Sequence, residues 1–225
     1  MSKKISDFPR ITARNDNDFL VIEDAATGAY KSIKVSDFIA DLSSGSSENR
    51  TQLTYVSSGD TNGVFYYIGT NKNTETWSNP VNASRISITQ SSAYDSNHTN
   101  IAGLVDRENT INFCSANVGD FYFDIDLKAD KNLILEAYSL KGRDWAANHP
   151  RNWKIQGSNG NDIWNDLDNK SGITSINQNT WYTASISASS TAYRFFRFLS
   201  TGASSSGDNV ICLGEIELYG KLLWN

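Results

Sequence analysis

From Phe121 to Leu127 the chain alternates without a slip, with Phe121, Phe123, Ile125 and Leu127 on one side and Tyr122, Asp124 and Asp126 on the other. A period of two marks a strand with one buried face and one wetted face. The same reading predicts strands at 133–140, 153–156, 163–167, 181–186, 193–199 and 210–219. In the second of these, Trp153 and Ile155 point inward while Lys154 and Gln156 point outward. Upstream, 64–68 and 85–89 also read as strands, the latter with Ile86 and Ile88 inward. After Gln156 comes Gly157-Ser158-Asn159-Gly160, a hairpin turn in which Asn and Gly accept positive φ. Gly214 shifts the apolar phase between Leu213 and Ile216, which predicts a β-bulge. No apolar stripe of period 3.6 is sustained over a long stretch. Short strands separated by turn clusters predict an all-β sandwich.

Residues 1–42 differ from this pattern. The runs 18–23 and 30–35 read as two strands joined by a turn around Ala26, Thr27 and Gly28, and Ser36 as the N-cap of a short helix over 37–42. About forty residues bury too little surface to fold unaided, so this piece must dock on copies of itself or on another protein. Residues 43–51, SSGSSENRT, read as a flexible linker, and 52–225 as one sandwich domain.

The stretch Arg151–Leu167, together with YRFFRF at 193–198 and LGEIELYG at 213–220, resembles the discoidin family: coagulation-factor type C domains and the galactose-binding-like carbohydrate modules. The resemblance implies a discoidin-like jelly-roll β-sandwich, a rigid binding domain whose last strand lies beside its first. It also implies a structural role for Arg151 and a structural Ca²⁺ held by Asp106, Thr110 and Glu215, with Glu108 nearby. Arg107 stands where the family has a glycine. Near the start, Ile5, Ser6, Phe8, Pro9, then Asp18, Leu20, Ile22, then Lys31, Ile33, Val35, Asp37 and Phe38 resemble an N-terminal segment of bacteriophage tail-fibre and related virion proteins. That likeness implies attachment to tail, baseplate or capsid proteins, or trimerisation, with the sandwich facing outward.

Charge and composition narrow the chemistry. Net charge is −5 with no basic stripe, so no nucleic-acid footprint is expected. No run nears the roughly 18 apolar residues of a membrane span, and MSKKISDFPRIT carries no apolar signal core, so synthesis in a cytoplasm is expected, which the tail-fibre resemblance makes that of a host, with the virion as destination. Cys114 and Cys212 sit among Phe113, Ile211 and Leu213 and read as buried small hydrophobes, with a disulfide between them left open. Only His98 and His149 are near-neutral bases and neither stands in a nucleophile motif, so an enzyme is not expected. Asp124 and Asp126 read as a solvated strand face.

Sugar recognition needs an aromatic face for the apolar side of a pyranose and planar polar groups for its hydroxyls. The loop 141–152 carries Arg143, Asp144, Trp145, Asn148 and His149. Trp145 there is either exposed for ligand or folded back as a lid on the core. The loop 90–100 adds Tyr94 and His98, with Asp95 and Asn97, and 200–209 is a small polar loop at the same end. The expected function is a tail-fibre, receptor-binding adhesin, acting as a homotrimer on a host-surface glycan. The alternatives are a carbohydrate-binding module of a bacterial protein and a purely architectural capsid or tail decoration.

Overall fold

The computed structural model describes residues 19–23, 30–34, 50–96, 98–108, 113–160, 163–187 and 191–224. The chain divides into two units, Met1–Asn49 and Arg50–Asn225. In the first, β1 (Phe19–Glu23) pairs antiparallel with β2 (Tyr30–Lys34), Phe19 opposite Lys34 and Glu23 opposite Tyr30. The expected turn at 26–28, the helix at 37–42 and most of the linker lie outside the described residues.

The second unit is built from β3 (Arg50–Leu53), α1 (Val64–Gly69), β4 (Ser87–Gln90), β5 (Phe113–Cys114), β6 (Tyr122–Asp126), β7 (Lys131–Gly142), β8 (Trp153–Ser158), β9 (Asn165–Lys170), β10 (Trp181–Ser185), β11 (Phe195–Ser200) and β12 (Cys212–Trp224). A 3₁₀ turn covers Ile101–Val105. One sheet runs β10-β7-β12-β3, with β5 also pairing β12; the other runs β4-β6-β11-β8-β9. All these pairings are antiparallel. The expected all-β sandwich is the observed fold. Arg50 and Thr51, which close the Ser-rich stretch in sequence, already belong to β3.

Alternation explains the core. Phe121, Phe123, Ile125 and Leu127 are all buried, as are Ile86 and Ile88. Phe123 stacks on Phe198 at 5.2 Å between centroids, Phe198 on Trp153 at 6.2 Å, and Phe113 on Phe121 at 5.4 Å. Each such side chain contributes about 1.5–3 kcal/mol by leaving water. Two polar atoms that enter with them are paired: Trp153 Nε1 donates to Tyr138 Oη (2.9 Å), whose hydroxyl donates to Asp168 Oδ2 (2.7 Å). On the outer face Asp124 and Asp126 are ion-paired with Arg197 and Arg194, each at 2.6 Å. The edge strand β9, NDLDNK, is polar, and Asp166 there pairs with Lys154 at 2.7 Å.

Two local outcomes differ from the alternation reading. Residues 64–68 form a helix, because Val64, Phe65 and Ile68 share one helical face and all are buried there. Its first turn has no side-chain cap of its own. The carboxylate of Glu217, from β12, accepts the Phe65 N–H instead (2.8 Å). A Cβ on Gly63 would land on that carboxyl group, so glycine is required by the close approach. The strand β12 slips register at Leu213/Glu215, as Gly214 foretold, and again at Tyr219/Gly220. At the second slip Gly220 has φ +149° and lies against the Ile134 carbonyl. The tail 221–224 continues β12 between β3 and β7, with Leu222 buried.

Candidate ligand-binding cleft

The short pairing of β5 with β12 sets Cys114 opposite Cys212, and the two form a disulfide. Both are buried, as expected of small hydrophobes, but they are covalently joined. Three loops converge on them. In the first, the Tyr94 N–H donates to the Cys114 carbonyl (2.9 Å), and the Tyr94 and His98 rings meet edge-on at 5.6 Å. His98 Nδ1 is 2.7 Å from Asp95 Oδ1, which fixes the imidazole. The second loop follows β7, whose end places Arg143 beside the disulfide with Nη1 3.1 Å and 3.0 Å from the two sulfurs. Burial lowers the Arg143 pKa from its usual value, and its Nε lies buried without a protein partner.

Further along that loop Asn148 adopts φ +62°, a conformation Asn tolerates better than most residues. Its carbonyl accepts the Cys212 N–H (2.8 Å), and its Nδ2 donates to both oxygens of Asp208 (3.1 and 3.2 Å). Asp208 belongs to the third loop, where Ser204 Oγ (2.7 Å) and the Val210 N–H (3.2 Å) also donate to its Oδ1. The result is a cleft of roughly 280 Å³ lined by Tyr94, His98, Arg143, Trp145, Asn148, Asp208, Val210 and the disulfide. Trp145 is 66% exposed and is no lid on the core.

Five expected site residues therefore meet in one place: Tyr94, His98, Arg143, Trp145 and Asn148. Two do not line it. His149 is turned inward, only 2% exposed, with both ring nitrogens unpartnered among protein atoms. Burial, then the charges of Arg151 and Arg143, push its pKa down to about 4. The cause of the misplacement is the left-handed turn at Asn148, which reverses the loop and sends the next side chain toward the core. Asp144 contributes its carbonyl to Gln178 Nε2 (2.5 Å) and does not line the cleft. Arg151 braces the neighbouring segment by donating to the Ile176 carbonyl (2.6 Å). Sequence reasoning missed Asp208 and the disulfide as parts of the site. The signal for Asp208 was its being the only charged residue in the polar loop 200–209.

The arrangement offers an exposed indole, a phenol, a guanidinium and a carboxylate around one concavity. That set suits a polyhydroxylated ligand with an apolar face.

The residues implied for calcium lie elsewhere. Asp106 and Glu215 lie close enough for each carboxyl to act on the other, and the Glu108 N–H donates to Asp106 Oδ1 (2.8 Å). Burial and the adjacent Asp106 push the Glu215 pKa up to about 9, burial raises that of Asp106, and Glu215 Oε1 is buried with no partner. Two carboxyls pressed together with an orphaned oxygen have the donor chemistry of a hard dication. Among the described residues no cluster of three His, Cys, Asp or Glu side chains could hold a metal, so the other oxygens would be carbonyls or Thr110, which lies outside the described residues. Arg107 has φ +65°, which accounts for a glycine being usual at that position.

The model of the F5/8 type C domain matches residues 87–215, from the start of β4 to the first bulge of β12. The chain belongs to the F5/8 type C domain family. Among curated relatives, a BTB/POZ domain-containing protein of Arabidopsis thaliana is 29% identical over 179 residues, covering 75% of this chain and 22% of the relative. The E3 ubiquitin-protein ligase hecd-1 of Caenorhabditis elegans is 31% identical over 180 residues, 76% of this chain and 7% of the relative. The chain thus spans less than a quarter of the length of these proteins. Among solved structures, CpGH89CBM32-5 from Clostridium perfringens, in complex with GalNAc-β-1,3-galactose, superposes with TM-score 0.50 at 8% identity, over 61% of this chain and 96% of that one. A fucolectin from Morone saxatilis serum does so with TM-score 0.50 at 17% identity, over 62% and 46%. At these identities the likeness is one of fold. This F5/8 type C domain shares the sandwich with them.

Proposed function

We propose that this F5/8 type C domain is a non-catalytic glycan-binding module whose site is the cleft at the disulfide. The observation that carries the reading is Trp145, 66% exposed in the same concavity as Arg143, Asn148 and Asp208. An exposed indole costs solvation in the free protein and gains when a pyranose face covers it. The sugar hydroxyls then take donors from Arg143 and acceptors from Asp208, held in place by Asn148 and Ser204. Support comes from the fold neighbour solved with GalNAc-β-1,3-galactose. The test is binding of galactose and of an array of glycans to the wild-type chain and to Trp145→Ala. Lost binding with an unchanged melting temperature supports the reading; equal binding by the two proteins refutes it.

Residues 1–42, with the β1–β2 hairpin, serve in this reading as the attachment piece of a virion fibre that makes the chain trimeric and multiplies weak sites by avidity. A monomer in light scattering, or a trimer that persists without residues 1–42, refutes that part. Asp106 and Glu215 would hold a structural Ca²⁺, which neutralises their repulsion. Calcium should then raise the melting temperature relative to chelator, and Glu215→Gln should remove the difference.

A further inference from the structure

We propose that the Cys114–Cys212 disulfide is the positioning element of the cleft: it seats the Arg143 guanidinium and clamps the three site loops, so that its reduction disables ligand binding while the sandwich stays folded. Arg143 Nη1 is placed by both sulfurs at once, at 3.1 and 3.0 Å, while its Nε has no protein partner. The backbone of each cysteine also ties down a loop, Cys114 through its carbonyl to Tyr94 and Cys212 through its N–H to Asn148. Among the described residues β5 pairs with β12 at two positions, and beyond them the Ser115 N–H donates to the Ile211 carbonyl and the Ile211 N–H to Ser115 Oγ, each at 2.9 Å, so the crosslink sits where a short ladder hands over to the loops. The β6, β8 and β11 strands at the core keep their own pairings regardless.

Both cysteines are buried at the floor of the cleft, under Arg143, so a small reductant approaches the bond from the cleft side. A dithiol such as dithiothreitol transfers two electrons and two protons: the S–S bond breaks, two thiols form, and the reagent closes to its cyclic disulfide. Thiols do not hold two sulfurs in bonding contact, so the double acceptor of Arg143 is lost. The consequence for glycan affinity rests on the reading of the cleft given above; the effect on loop order does not.

The experiment uses the full chain, oxidised and after reduction by dithiothreitol, with thiol capture confirming the state. Hydrogen exchange read by mass spectrometry should quicken in 91–100, 143–150 and 203–212 on reduction while 122–126, 153–158 and 195–200 keep their protection. Galactose binding should fall about tenfold to a hundredfold, the range expected for losing a charged hydrogen-bonding group from a site. Saturating galactose should slow reduction, because it covers the bond. Unchanged exchange in the loops overturns the proposal, as does loss of protection throughout, which would make the disulfide a stability crosslink alone. If the oxidised chain fails to bind galactose, the glycan reading fails, and the exchange pattern still decides this one.

Discussion

Replacing Glu217 by glutamine should remove a pH dependence that the folded domain carries near neutrality. Glu217 is 6% exposed, and its Oε1 accepts the N–H groups of Phe65 (2.8 Å) and Leu218 (2.9 Å). Burial pushes its pKa from 4.5 up to about 7, the backbone donors only partly opposing it. Below pH 4.5 the group is protonated in the folded and unfolded chain alike. Between 4.5 and 7 the unfolded chain releases the proton while the folded domain retains it, so stability falls as pH rises. The loss is complete above pH 7 and amounts to about 3 kcal/mol at about 1.4 kcal/mol per unit of pKa. Glutamine keeps the oxygen for both N–H groups and carries no charge to desolvate. Urea denaturation of wild type and Glu217→Gln from pH 4 to pH 8 isolates the effect, because other titrating groups cancel in the difference. Relative to wild type, the variant should gain about 3 kcal/mol across that range. Parallel stability curves would falsify the account of a desolvated carboxyl at the start of α1.

Tyr138→Phe should cost about 2–4 kcal/mol in chemical denaturation, because it strands the buried Trp153 Nε1–H and removes the donor to Asp168. His149 should titrate by NMR near pH 4. Because the unfolded imidazole protonates near 6.5, folding should lose up to about 3 kcal/mol as pH falls from 6.5 toward 4, an effect absent in His149→Phe if that variant folds. Gly63→Ala should lower stability by about 1–3 kcal/mol, since the added methyl displaces the Glu217 carboxyl from α1; a neutral result in thermal melts would show that this contact yields freely.

How much of this was legible in the sequence depended on how local each cause is. The β6 pattern is local: four apolar residues alternating with three polar ones leave one way to lay the strand on a core. The Gly214 bulge was legible for the same reason, since it shifts a phase visible within six residues. The slip at Gly220 was not, because Leu218, Tyr219, Leu222 and Leu223 crowd both sides of it and leave no single apolar phase to follow. Residues 64–68 were misread because a short apolar run fits strand and helix equally, and the group that settles it, Glu217, lies 152 positions away. The disulfide, with a separation of 98 residues, was open for the same reason. In the site, residue type and loop position brought five residues to one cleft. They failed for His149, where a single left-handed residue decides which way the next side chain turns.

The strand β9 closes one side of its sheet with the sequence Asn-Asp-Leu-Asp-Asn-Lys, and its pairing with β8 slips between Ile155 and Gln156. An uncovered edge normally invites a neighbouring molecule to add its own strand, the first step toward fibrils. Two aspartates and a lysine at that margin, on a ribbon bent by the slip, make such stacking unfavourable for identical copies. That margin of the domain should therefore resist strand addition by a second copy.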